Sequence, residues 1–121
     1  SNPRNPIPIV DDDTDWALNQ MLRGKESIVK LAPVEDVPLD DIKTTQSRLR
    51  RDSLEYFLSG GTADDYPVIV NTRQGNVILD GNHRVTTAII NDKTSIKAHY
   101  VKLSDLNLSA SELRDLYRRK G

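Results

Sequence analysis

At 121 residues and 13.6 kDa, with 36% hydrophobic and only 5% aromatic side chains, the chain is sized for one domain with a single modest aliphatic core. It has no cysteine, which excludes disulfides, thiolate catalysis and cysteine-ligated zinc or iron–sulfur centres, and no apolar run approaches a membrane span or a signal-peptide core, so a cytoplasmic protein with no membrane partner is expected. Seventeen basic residues against eighteen acidic ones leave a net charge of −1, so any nucleic-acid binding must rest on a local patch.

Ser1 to Val10 carries Pro3, Pro6 and Pro8 and few apolar side chains, which predicts an extended arm of low intrinsic order, free to pack on a partner. Asp11, Asp12, Asp13 and Asp15 then lead into a helical pattern in which Trp16, Leu18, Met21 and Leu22 share a face, and Gly24 ends it. Such acids at a helix start read as capping and dipole complementation, with a metal cluster as the competing reading. Ile28 to Leu31, followed by Pro33 and Pro38, predicts one or two short strands with Pro33 at an edge or break, and Pro38 to Ile42 predicts a turn of helix.

Ser47 to Leu58 is the next predicted helix, with Leu49, Leu54, Phe57 and Leu58 on its apolar side and Gly60-Gly61 as its stop. Val68 to Val70, the turn around Arg73 to Gly75 and Asn76 to Leu79 form the clearest hairpin pattern in the chain. A helix from about His83 to Asn91 follows, placing Val85, Ala88 and Ile89 inward. A half-buried strand from Ser95 to Leu103 comes next, with His99 on its polar face in a structural role. Ser109-Ala110-Ser111-Glu112 is a capping box opening a last helix through Leu113, Leu116 and Tyr117 that ends at Gly121, and its basic residues Arg114, Arg118, Arg119 and Lys120 complement the helix C-terminus. The expected fold class is α+β, a small mixed sheet with flanking helices. The expected organisation is an arm and helix over 1–26, a sheet domain over 27–106 and a closing helix over 107–121.

The pentapeptide Asp80-Gly81-Asn82-His83-Arg84 sits where the second hairpin strand feeds straight into a helix. A glycine there lets the backbone take conformations that a side chain would hinder, and lets an anion come close. The N–H groups of Asn82, His83 and Arg84 are then presented at the positive end of the helix dipole. An Arg84 guanidinium could grip two phosphate oxygens, and His83 could donate a further hydrogen bond and gain proton affinity beside a phosphate. Asp80 could hold the turn, meet Mg²⁺ through water or take a proton from an attacking hydroxyl. A purely structural strand-to-helix connection is the competing reading. If the turn is a phosphate clamp, Arg84 should stand exposed without ligand, and its removal should weaken binding while leaving stability nearly unchanged.

Taken with this turn, the order of elements from Leu31 to Leu106 resembles the ParB/sulfiredoxin superfamily. The likeness rests on Pro38-Leu39-Asp40-Asp41-Ile42, Thr44-Thr45-Gln46-Ser47-Arg48, Pro67-Val68-Ile69-Val70 and Asp80-Gly81-Asn82-His83-Arg84. The resemblance implies a ParB/sulfiredoxin-like fold and nucleotide-phosphate binding at the turn. It also implies that Gln46 and Arg48 face the same ligand, as in the Gln-Pro-Arg segment of ParB proteins, where Ser47 here replaces proline. Without the resemblance, Thr45 or Ser47 would simply cap a helix whose arginines form a solvated face.

Departures from the family narrow its activities. Sulfiredoxin chemistry needs a cysteine where Asn82 stands and is excluded, and Gln46 near the place expected of a serine kinase's catalytic glutamate argues against that activity. Two function classes remain. One is an enzyme hydrolysing a nucleoside triphosphate or a DNA phosphodiester with Asp80 and His83 as catalytic residues and Mg²⁺ as cofactor. The other is a noncatalytic switch in which nucleotide or DNA occupancy changes the arm or a homo-oligomer interface. The chain is expected to be either part of a larger parent protein or a stand-alone phosphate-binding module.

Overall fold

Alternating apolar residues along the central strands face two ways, and both faces are covered. The structure is a computed structural model describing residues 1–120, with the Lys120 side chain and Gly121 outside the described residues. In chain order the elements are α1 (Asp12–Leu22), β1 (Val34–Pro38), β2 (Lys43–Thr44), α2 (Arg51–Leu58), β3 (Val68–Thr72), β4 (Gly75–Asp80), α3 (Asn82–Ile90), β5 (Ser95–Lys102) and α4 (Ala110–Lys120). Short 3-10 turns lie at Val29–Leu31 and Leu103–Asn107. The five strands form one mixed sheet in the order β1-β5-β3-β4-β2, with β1/β5 and β3/β4 antiparallel and β5/β3 and β4/β2 parallel. This is the small α+β fold that the pattern of elements predicted.

Val68, Val70 and Val77 point to one face, where Leu18 of α1, Leu113 and Tyr117 of α4 and Val10 of the arm cover them. Ile69 and Ile78 point to the other, against Val85 of α3, Val37, Ala98 and Ile7. The single core expected from chain length is therefore two clusters, one on each side of a sheet buried on both faces. Continuous Val-Ile-Val and Val-Ile-Leu runs in β3 and β4 are the pattern such a sheet requires. Residues 1–26 and 107–120 contribute to the same first cluster as the sheet. The hairpin turns at Arg73-Gln74, and the capping box is reciprocal, with Ser109 N donating to Glu112 Oε1 and Glu112 N to Ser109 Oγ, each at 3.2 Å.

Several local expectations give way to long-range partners. The arm is not loose: Asn5 N donates to Ser47 O at 2.8 Å, Leu49 N to Pro3 O at 2.9 Å, Thr44 N to Pro8 O at 2.9 Å and Val10 N to Thr44 O at 3.0 Å. It forms a ribbon with residues 44–49 and buries Asn5, Ile7 and Val10. That pairing holds residues 47–50 extended, so α2 begins at Arg51 rather than Ser47. Neither Thr45 nor Ser47 caps it, and Leu49, 1% exposed, belongs to the ribbon instead of a helical face. Instead the Arg51 N–H is met by Asn2 Oδ1 of the arm at 3.2 Å.

Asp11 caps α1 through Thr14 N at 2.7 Å, and these hydrogen bonds hold its carboxyl below the ordinary carboxylate range. Trp16, however, is 67% exposed and Leu18 alone is buried on that helix. Val29–Leu31 is a 3-10 turn rather than a strand, with β1 starting only after Pro33, and Pro38 to Ile42 is a tight turn with Asp41 at φ 58° rather than a turn of helix. His99 is structural as expected: its Nδ1 lies 2.6 Å from Ala32 O and its ring meets Tyr66 edge-on. Arg118 pairs with Asp115 at 3.5 Å at the end of α4, while Gly121 and the Lys120 side chain of the proposed basic tail lie outside the described residues.

Candidate phosphate-binding site

Strand β4 runs directly into α3, and Gly81 makes the corner. It is the N-cap of α3 in a left-handed conformation, φ 93° and ψ 27°, which any L side chain would strain. A Cβ added there would also stand 2.7 Å from Pro67 Cβ and 3.0 Å from Pro67 Cα, so glycine is required by space as well as by dihedral. The first backbone bond of α3 is Val85 N to Gly81 O at 3.0 Å, and no side chain caps the helix. The N–H groups of Asn82, His83 and Arg84 thus form its uncapped first turn.

The side chains of this turn have distinct tasks. Asn82 is 5% exposed and anchors a polar knot. Its Oδ1 accepts from Thr44 Oγ1 and, at 3.2 Å, from Asn5 Nδ2, and its Nδ2 donates to Gln46 Oε1 at 3.4 Å. Asn5 Nδ2 also donates to Gln46 O at 3.1 Å, while Asn5 Oδ1 accepts from Ile7 N at 3.0 Å and from Thr86 Oγ1 at 3.4 Å. Every side-chain polar atom of this buried Asn–Asn pair has a partner, as burial demands. The Asn82 side chain is therefore fully engaged within the protein.

His83 reaches across to α2, where its Nε2 accepts the Arg50 N–H at 2.8 Å. Accepting there requires the neutral ring with its proton on Nδ1. Burial, and then the neighbouring Arg50 charge, push the His83 pKa below its ordinary value, partly opposed by Asp52. In this arrangement His83 Nε2 is an acceptor at the start of α2, and the proton the ring can donate is the one on Nδ1.

Arg84 departs further from expectation. Its side chain is 17% exposed, Nη1 bonds both the carbonyl and, at 3.1 Å, the carboxylate of Asp65, and the guanidinium lies 6.0 Å from the Phe57 ring. It therefore clamps the segment before β3 and is largely buried rather than exposed, so its removal is expected to cost stability. Asp80, about half exposed, faces Lys30 Nζ at 3.9 Å.

Gln46 is brought to the turn, and Arg48 is joined to it through its backbone carbonyl. Gln46 spans it, with Oε1 toward Asn82 and Nε2 donating to Arg48 O at 2.7 Å, and Arg48 is exposed beside it. The His83–Arg50 bond places the N-termini of α2 and α3 within one side chain of each other. Two positive dipole ends and the exposed Arg48, Arg50 and Arg51 then share a corner of a chain whose net charge is −1. Asn2, Asn5, Lys30, Thr44, Asp65 and Thr86 also belong to this neighbourhood. The sequence carries no local mark of Asn5, whose partners lie 41, 77 and 81 residues away.

No protein-family model matches this chain, and no curated protein matches it. Among the described residues no helix is long and apolar enough to cross a membrane, and no three His, Asp or Glu side chains converge as a metal cage would require.

Proposed function

We propose that this domain binds a phosphate group of a nucleotide or nucleic acid at the N-terminus of α3, against a wall formed by Gln46 to Arg51. The observation that carries the reading is the approach of the two helix N-termini, tied by the 2.8 Å His83–Arg50 bond, with Gly81 making the left-handed corner that turns β4 into α3. Uncapped N–H groups at a positive dipole end, flanked by guanidinium groups, are the standard recognition chemistry for phosphate oxygens. The resemblance to the ParB/sulfiredoxin superfamily points the same way, and Gln46 Oε1 lies 3.4 Å from Asn82 Nδ2 of the turn.

A noncatalytic binding module fits the side chains better than a hydrolase. The Nε2 lone pair of His83 is occupied by the Arg50 N–H, so using it as a base would break that bond, while Asp80, about half exposed, lies 3.9 Å from Lys30 Nζ. A magnesium ion would arrive on a triphosphate, where Asp80 is the carboxylate of the turn able to meet it through water. Occupancy would act on the Asn82–Asn5–Gln46 knot and hence on the docked arm, which makes the arm the part of the fold that responds. Calorimetric titration with ATP, CTP and a short DNA duplex, each with Mg²⁺ and with chromatography of the products, tests this. Saturable binding without turnover is the expected result. Turnover would restore the enzyme reading, and no binding to any of them would refute the proposal.

A further inference from the structure

Arg4 of the arm and Arg48 are directly opposite each other in an antiparallel bridge. The flanking bonds, Asn5 N to Ser47 O and Leu49 N to Pro3 O, make theirs the non-hydrogen-bonded pairing, in which facing side chains approach most closely. The neighbours Asn5 and Leu49 turn inward and are buried, while Arg4 and Arg48 are exposed on the outer side. Like charges directly opposite across a strand pair are destabilising. The other arginines of this corner are engaged: Arg50 pairs with Asp52 at 3.0 Å, and Arg51 Nε donates to Ser1 O at 2.9 Å. Among the described residues neither the Arg4 nor the Arg48 guanidinium has an ion-pair or hydrogen-bond partner.

We infer that Arg4 and Arg48 form a second anion subsite, completed only when the arm is docked, which takes the adjoining phosphate of a ligand whose first phosphate lies at the α3 N-terminus. The inference rests on the binding reading above and extends it from a single phosphate to linked phosphates. Gln46 ties the ribbon that carries Arg48 to the turn, reaching Asn82 with Oε1 and the Arg48 backbone carbonyl with Nε2. A phosphate between the two guanidinium groups turns their repulsion into a pair of charge-assisted contacts. Linked phosphates are offered both by a free nucleoside triphosphate and by a nucleic-acid strand.

The test uses the full chain, Arg4→Gln and Arg4→Glu, with inorganic phosphate, tripolyphosphate, ATP and a short single-stranded oligonucleotide as probes. Arg4→Gln should weaken tripolyphosphate binding about tenfold and leave inorganic phosphate binding unchanged. Its ligand-free melting temperature at low salt should equal or exceed that of the parent. Arg4→Glu, able to pair with Arg48, should melt higher still and lose the preference for linked phosphates entirely. If the strand is the ligand, oligonucleotide binding exceeds ATP binding, and the slope of log affinity against log salt falls by about 0.7 in Arg4→Gln. If the free nucleotide is the ligand, ATP and tripolyphosphate bind alike and the oligonucleotide adds nothing. Parent-like tripolyphosphate binding by Arg4→Gln would overturn the subsite and leave the α3 reading intact. So would a drop in ligand-free stability together with lost inorganic phosphate binding, which would make Arg4 part of the fold. A parent chain that binds none of the probes would overturn both.

Discussion

Replacing Asn5 by Ala removes a side chain that is 5% exposed and whose every polar atom is bonded. The substitution strips partners from Gln46 O, Asn82 Oδ1, Ile7 N and Thr86 Oγ1. A net hydrogen bond contributes roughly 1 kcal/mol, and a buried group left unpaired costs about 1–3 kcal/mol. Asn82 Oδ1 keeps Thr44, and Gln46 O can turn to water, so the loss should be about 3 kcal/mol rather than the full sum. Near the melting point an unfolding entropy of roughly 0.25 kcal/mol/K for a chain of this length converts that into a fall of about 12 °C. Urea denaturation supplies the free energy and calorimetry the melting point, and a cycle with Asn82→Ala should return a coupling of about 1 kcal/mol. A loss below about 0.5 kcal/mol would mean that the arm contributes no stability and would refute the account of it as part of the fold.

Arg84→Ala should destabilise the chain by about 1–2 kcal/mol, the half-exposed Asp65 keeping the figure below that of a fully buried pair, and lower the melting point by about 4–8 °C; an unchanged melting curve would return Arg84 to the role of an idle ligand-waiting group. His83 is held neutral by burial and by Arg50, so the unfolded chain takes up its proton first as pH falls. Stability should accordingly be complete above about 6.5 and decline as pH drops below that, and His83→Gln, which retains an acceptor for the Arg50 N–H, should flatten the decline in urea midpoints measured from acid to neutral pH. An equally steep decline in the variant would show that His83 is not the titrating group. Tyr117 buries a hydroxyl with no partner among the described residues, and burial, then Asp105, push its pKa up to about 12. Tyr117→Phe should therefore be neutral or stabilising by about 1 kcal/mol in urea melts, and a loss of more than that would reveal a partner for the hydroxyl.

What could be read in advance was what neighbouring residues decide. The Gly81 corner, the Arg73-Gln74 hairpin, the start of α3 and the Ser109–Glu112 box are each determined by a few adjacent side chains, and the structure has all of them. The arm could not be read this way, because its order comes from residues 44–49, 82 and 86 rather than from its own prolines. The same pairing displaced the start of α2, since ribbon bonds to Pro3 and Asn5 outweighed the helical pattern at Ser47 to Arg50. At the site, Gln46 was pointed to only by the resemblance and meets Asn82, whereas the employment of Arg84 by Asp65 and of His83 by Arg50 depends on which elements pack together. Trp16 misled for a simpler reason: a large apolar residue on a short surface helix need not face the sheet.

The central claim, a phosphate seated on the first turn of α3, is tested most directly by following the backbone amides of the isotope-labelled chain during titration with ATP and with inorganic phosphate. The amide resonances of Asn82, His83 and Arg84 should shift together and saturably, those of Gln46 and Arg48 should follow, and the distant amides of α4 should stay in place. Saturable shifts elsewhere with these amides unmoved, or no shift at millimolar ligand, would contradict it.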